Sequence, residues 1–190
     1  GIHAQLIEKH FKKIVQPYYA MGFNVGIFLG GGFAGFFIHQ KTEPYLIFLL
    51  FSIVSIFVSI IVYNFSLPKE LDFKGLGEKY KIPQKEVLVF GLLLFIVFGS
   101  GGIIIDWSTL WFSSELNAPL YLASLGLIFL SSGGILANLF SNQLISFFSE
   151  KIVGCYFVIF GTILLFISII TFNFYIILIC LFFYGFATAN

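Results

Sequence analysis

The chain has 190 residues, of which 59% are hydrophobic, 20% aromatic and only 10% charged, and its formal net charge is +1. Because a soluble domain carries about 25% charged residues, this composition excludes a soluble globular protein and predicts an all-α, multi-pass membrane helical bundle. All ten basic residues are lysines. Because no arginine is present, no guanidinium group can bind a phosphate through bidentate hydrogen bonds, and we expect no nucleic-acid partner.

The first predicted span covers residues 15–38 and is rich in glycine. Two series of glycines recur at every fourth residue: Gly22, Gly26 and Gly30, and then Gly31 and Gly35. Glycines at this spacing give one helix face a groove that a neighbouring backbone can approach closely. We predict Gly22, Gly26 and Gly30 as helix-packing residues.

Asn24 is the one strongly polar side chain in the middle of the first span, and it either bonds to a neighbouring helix or faces a cavity. A polar turn at residues 39–44 leads to the second predicted span, residues 45–65. Apolar side chains cover every face of that span, which predicts broad contact with lipid. The hydrophilic residues 66–85 follow, and we predict that they link two helical bundles.

The third predicted span, residues 86–114, combines an apolar run with a single carboxylate, Asp106. Gly99, Gly102 and Asp106 lie at i, i+3 and i+7 and therefore share one helix face; both glycines are predicted to pack. Ionising a carboxylate in an apolar run is costly unless it reaches a cavity, a partner or the interface. Either Asp106 binds a proton or a cationic group, or it lies at the interface and caps a helix that restarts at Trp107.

Two tryptophans, Trp107 and Trp111, follow the carboxylate one helical turn apart. They either stack on a sugar or aromatic ligand, or belong to the aromatic belt that membrane proteins place at the interface. Together with Asn24 and Asp106, these tryptophans form our hypothetical pathway for a substrate or a proton.

The fourth predicted span, residues 119–140, carries Ser131, Gly134 and Asn138 on one face. We predict Gly134 as a packing residue and Asn138 as a packing or loop-anchoring residue. The remaining elements are predicted as a short loop, a fifth span, a tight turn and a sixth span: residues 141–151, 152–171, 172–173 and 174 onwards.

Lysines give the orientation, because cytoplasmic loops carry an excess of them. If the spans alternate, nine of the ten lysines fall on one side of the membrane and only Lys41 falls on the other. This bias predicts a cytoplasmic linker at residues 66–85, an outward position for Asp106, and location in the cytoplasmic (inner) membrane.

The cysteines and histidines predict no chemistry. Cys155 and Cys180 fall inside apolar runs and are interpreted as small buried hydrophobic side chains rather than a disulfide or a metal pair. His3, His10 and His39 show no metal-ligand spacing, and every histidine is far from Asp106 in the chain. We therefore expect no enzyme, no metal site and no cofactor.

Three local patterns carry a family resemblance: Asp106-Trp107-Ser108 after a small-residue segment, Phe23-Asn24-Val25-Gly26, and the run NLFSNQ at residues 138–143. They resemble patterns of the major facilitator superfamily of secondary transporters. One bacterial branch has Glu-Gly-Ala-x-x-Asp-Trp-Ser at the first place, and its Glu position is Gly101 here. The second pattern, Phe23-Asn24-Val25-Gly26, is similar to the Phe-Ser-Leu-Gly run of the same bacterial branch. The third is similar to the family's Gly-x-Leu-x-Asp-Arg loop, with neutral Asn142 and Gln143 in place of the charge pair.

The family has two six-helix bundles joined by a cytoplasmic loop. The resemblance implies that this chain is a fragment covering helices five to ten of a 12-helix fold. Residues 1–65 would end the N-terminal bundle, 66–85 would form the central loop, and 86–190 would begin the C-terminal bundle. The expected partners are the lipid bilayer, a small-molecule solute and the missing helices.

The implied function is alternating-access transport of a small solute, with coupling to protons through Asp106. Burial would disfavour the charged form of this carboxylate, which suits proton coupling. The alternative is a non-transporting remnant or a helical membrane scaffold. Neutral residues at Gly101, Asn142 and Gln143, where the family keeps charged ones, favour that alternative.

Overall fold

The computed structural model describes residues 15–64, 84–149 and 151–189, and these residues contain helices and turns but no strand. The described part of the chain forms these helices: α1 Gln16–His39, α2 Pro44–Tyr63, α3 Lys85–Ser114, α4 Leu120–Ala123, α5 Leu125–Leu139, α6 Ser141–Phe148, α7 Phe157–Thr171 and α8 Phe174–Thr188. A π-helical turn, Ile152–Tyr156, precedes α7.

Four stretches are long and apolar enough to cross a membrane: Gln16–His39, Pro44–Tyr63, Leu120–Leu139 and Ile152–Thr171. They have 20 to 24 residues, which matches the roughly 20 that a helix needs to cross the hydrocarbon core. The prediction of an all-α, multi-pass membrane helical bundle is thereby confirmed. α3 is one continuous helix of 30 residues and α8 has 15; that both cross the membrane stays a prediction.

Local sequence sets the helix ends. Pro44 is the first residue of α2, where a proline's missing N–H costs nothing. α7 ends at Thr171, and the next residue, Phe172, adopts a left-handed conformation with φ 48. The Asn173 side chain then caps α8 by accepting hydrogen bonds from the backbone N–H groups of Tyr175 and Ile176, at 3.1 and 3.2 Å. The predicted turn at residues 172–173 is confirmed.

One sequence prediction about local structure is wrong, and the helix restart in one of the two alternatives for Asp106 is excluded. The sequence predicts a loop at residues 141–151, but Ser141–Phe148 is the helix α6. Its apolar residues Leu144, Phe147 and Phe148 recur at the spacing of one helix face. The excluded restart concerns α3. This helix runs without interruption through Asp106 and Trp107, so no helix restarts at Trp107.

Two compact units divide the chain, one made of Gly1–Lys41 with Ile103–Asn190 and the other of Thr42–Gly102. In the second unit, α2 has no buried residue, as the prediction of broad lipid contact requires. The predicted linker lies, up to residue 83, outside the described residues, as do residues 1–14. The predicted division into bundles stays a prediction.

In the first unit, α5 is the central helix: it packs on α1 and α8, and α8 packs on α7. Gly133 of α5 and Gly185 of α8 let these two helices touch through their backbones. A Cβ added at Gly133 would overlap the carbonyl oxygen of Phe182, and one added at Gly185 would overlap that of Leu130. The helix crossing therefore requires glycine at both positions, as in other close membrane-helix contacts.

Candidate functional site

The contact between α1 and α5 places Asn24, a polar residue singled out in the sequence, against the second helix. Asn24 lies against Gly134, because a Cβ added at Gly134 would be 2.6 Å from the Asn24 amide oxygen. The Asn24 amide nitrogen donates to the Ala20 carbonyl at 3.1 Å. One turn further along α5, Asn138 is buried, and its amide donates to the Gly134 carbonyl at 2.8 Å. We call Asn24, Gly134 and Asn138 the amide cluster.

The rest of this contact is made by the second glycine series of α1. A Cβ added at Gly31 would lie 3.5 Å from the Leu127 Cβ and 3.5 Å from the Ile128 side chain. At Gly35 an added Cβ would overlap the Ser124 hydroxyl. Gly31 and Gly35 are both buried, so the two backbones approach each other here.

The predicted packing role of the first glycine series is not met among the described residues. A Cβ added at Gly22, Gly26 or Gly30 would have no described atom within 4 Å. Asn24 and the second series, Gly31 and Gly35, share one helix face at i, i+7 and i+11, and the first series lies on the opposite face. The added Cβ also meets open space at two other predicted packing glycines, Gly99 and Gly102.

The polar side chains named at the α1–α5 contact donate locally, each to a backbone carbonyl three or four residues earlier in the chain. Besides the two amides, the Ser124 hydroxyl donates to the Tyr121 carbonyl at 2.9 Å. The Ser131 hydroxyl donates to the Leu127 carbonyl at 2.6 Å. The two helices are consequently held together by packing of small residues, and separating them breaks none of these bonds.

Asp106 lies on the exposed side of α3 in the described part of the chain, so the burial expected of this carboxylate from the sequence is not found there. Its neighbour Trp107 is 61% exposed, whereas Trp111 is half-buried against the core and stacks on Phe112 with ring centroids 5.8 Å apart. The described contacts therefore place Trp111 in the core and Asn24 in the amide cluster, and they bring neither residue to Asp106.

Ser108 is a site residue that reasoning from the sequence did not single out for a role. It is only 4% exposed, and its hydroxyl has no hydrogen-bond partner among the described residues. Ile104, Ser108 and Phe112 lie at i, i+4 and i+8 and form the buried stripe of α3. This helical spacing is the sequence signal that could have identified Ser108 as buried. It places Ser108 on the side of α3 opposite Asp106.

The two cysteines differ in exposure, and residues 142–143 lie at the start of a helix. Cys180 is buried as predicted, but Cys155 is exposed on the π-helical turn, so its predicted burial is wrong. The described residues contain no group of three or more residues that could hold a metal ion. Asn142 and Gln143 are exposed in the first turn of α6.

Comparisons with protein families, with curated proteins and with solved structures found no match to this chain. The apolar helices define the class, a multi-pass α-helical membrane protein. Within that class, the contact between α1 and α5 combines packed glycines with buried polar side chains.

Proposed function

We propose that this chain belongs to a secondary transporter of the major facilitator type, which moves a small solute across the cytoplasmic membrane by alternating access. The α1–α5 contact carries the proposal. On the resemblance, α1 is part of the first bundle and α5 part of the second. Such transporters place their solute site at the interface of the two halves, which rock against each other. The amide cluster would then lie at that moving interface.

The physics of the contact suits repeated opening. Leaving one buried donor or acceptor unpaired costs about 1–3 kcal/mol, and an interface held by bonds between helices would incur this cost at every cycle. Here the Asn24, Ser124, Ser131 and Asn138 side chains keep their hydrogen bonds when the helices part. Opening therefore gives up packing contacts alone.

A reversible disulfide across the contact tests the proposal. The pair Gly31→Cys and Leu127→Cys has its Cβ atoms 3.5 Å apart, within the about 3.5–4.5 Å over which disulfides form. Cys155→Ala and Cys180→Ala remove the native thiols. The matched control is Gly32→Cys with Leu127→Cys, because the Cβ at residue 32 has no described atom within 4 Å.

The readout is uptake by proteoliposomes containing the full-length chain, with a panel of hexoses, amino acids and the cations ethidium and tetraphenylphosphonium. We expect oxidation to stop uptake in the Gly31→Cys pair, reductant to restore it, and the control pair to be unaffected. Uptake that continues in the cross-linked protein would show that the contact does not open. A well-folded protein that moves no solute of the panel would instead favour the scaffold function.

A further inference from the structure

We propose that α6 is an interfacial helix, which lies along the surface of the bilayer and inserts one apolar edge among the lipids. That edge consists of Phe140, which immediately precedes α6, with Leu144, Phe147 and Phe148. The proposal concerns how the chain is seated in the membrane, and it does not depend on transport.

The lengths of the neighbouring spans place α6 at the surface. Leu120–Leu139 and Ile152–Thr171 each have 20 residues, which at about 1.5 Å per residue is just the thickness of the hydrocarbon core. Only Phe140 separates α6 from the first of these spans, and residues 149–151 separate it from the second. Both spans need all of their residues to cross the hydrocarbon core. Both ends of α6 are therefore held at the same bilayer surface.

The side chains of α6 form an apolar edge and a polar side, as a helix at the bilayer surface requires. Phe140, Leu144 and Phe147 lie at i, i+4 and i+7 and form one edge, whereas Asn142 and Ser146 lie on the opposite side. Phe147 is 82% exposed and Phe140 is 50% exposed. Helices with this division of apolar and polar faces lie in the interfacial plane with the apolar face among the acyl chains.

A ring contact fixes which way the apolar edge faces. The ring centroids of Phe148 and Phe157 are 5.6 Å apart, and Phe157 is the first residue of α7. The apolar side of α6 is therefore turned towards the start of a membrane-crossing helix, that is, towards the hydrocarbon. Asn142 and Ser146 are left facing water, and both are exposed. This arrangement favours lipid as the occupant of the edge.

Spin labels on the two sides of α6 test the proposal in the full-length chain. In a background with Cys155→Ala and Cys180→Ala, a nitroxide is attached at Phe147→Cys or Phe140→Cys on the apolar edge, and at Asn142→Cys or Ser146→Cys on the polar side. The proteins are reconstituted in vesicles of phosphatidylethanolamine and phosphatidylglycerol. Relaxation of each label is measured with oxygen, which concentrates in the bilayer, and with a water-soluble nickel chelate.

We expect the labels at 147 and 140 to be relaxed mainly by oxygen and those at 142 and 146 mainly by the nickel chelate. Equal access of the chelate to all four labels would place α6 in water and overturn the proposal. Low access of both reagents at 147 would also overturn it, because protein, a second copy or another part of the chain, would then cover the edge. Phe147 has few contacts to lose, and the label at 140 repeats the measurement independently.

Discussion

The amide oxygen of Asn24 and the backbone of Gly134 touch across the α1–α5 contact, so closely that a Cβ on residue 134 would come within 2.6 Å of that oxygen. Asn24 belongs to the glycine-lined face of α1, and Gly134 supplies the carbonyl that Asn138 binds. A change at either residue therefore alters both the packing of the helix pair and its polar groups.

Gly134→Ala is predicted to loosen this contact. The added methyl group meets the Asn24 amide, and overpacking of this kind costs about 1–3 kcal/mol. We expect a lower midpoint of thermal unfolding in detergent and a lower yield of the 31–127 disulfide. Gly26→Ala is the matched control, because its Cβ has no described atom within 4 Å and alanine favours the helix; its stability should be unchanged or raised. Equal effects of the two changes would contradict the contact.

Gly133→Ala is predicted to cost more than Gly134→Ala. The new Cβ would overlap the carbonyl of Phe182, and a backbone carbonyl cannot rotate away as an asparagine side chain can. We expect α5 and α8 to be forced apart and the unfolding midpoint to fall further. Gly154→Ala on the π-helical turn has open space around it and serves as the control. A midpoint for Gly133→Ala at or above that of Gly134→Ala would show that the close crossing is wrong.

Ser108→Ala is predicted to leave stability unchanged or to raise it. The Ser108 hydroxyl is buried without a partner, and an unpaired buried polar group costs about 1–3 kcal/mol, which alanine does not incur. Ser131→Ala is the comparison, because it removes a hydroxyl that donates to the Leu127 carbonyl. We expect its unfolding midpoint to lie below that of Ser108→Ala. The reverse order would mean that Ser108 has a stabilising partner outside the described residues.

Asp106→Asn is predicted to abolish the dependence of solute uptake on an imposed pH gradient while leaving the fold intact. The residue is exposed on α3, so neutralising it should not move the unfolding midpoint. Uptake with and without the gradient, and pyranine fluorescence inside the vesicles, give the readout. Glu115→Gln, at another exposed carboxylate just after α3, is the control. Unchanged coupling in Asp106→Asn would remove this residue from the proton pathway without affecting the proposal of transport.

The sequence predicted the fold class well because the length and apolar character of a span are properties of one segment. It failed where the answer depends on a neighbour. Both glycine series of α1 have the same spacing, and only the position of α5 decides that Gly31 and Gly35 pack while Gly22 does not. Asn24 was expected to bond to a neighbouring helix or to face a cavity. Its amide instead donates within its own helix, to Ala20, and packs on Gly134, an arrangement that periodicity alone could not predict.

The helix α6 shows a different limit. Its residues were interpreted as a loop because the segment is short and lies between two spans. A helix of 8 residues is marginal in water. The sequence pattern does not show the bilayer surface, which on our proposal stabilises this helix. The helical spacing of Leu144, Phe147 and Phe148 and the bounds of both flanking spans were visible in the sequence. A segment this short nevertheless has too little helical stability of its own for its sequence to decide between a helix and a loop.

The local hydrogen bonds at the α1–α5 contact also bear on how the protein is made. Asn24, Ser124, Ser131 and Asn138 each donate to a backbone carbonyl of their own segment, and these bonds can form before the two helices meet. Burying a polar group without a hydrogen bond is costly, so each local bond lowers the cost of holding its side chain in lipid. A delay between the insertion of α1 and that of α5 leaves these four hydrogen bonds intact.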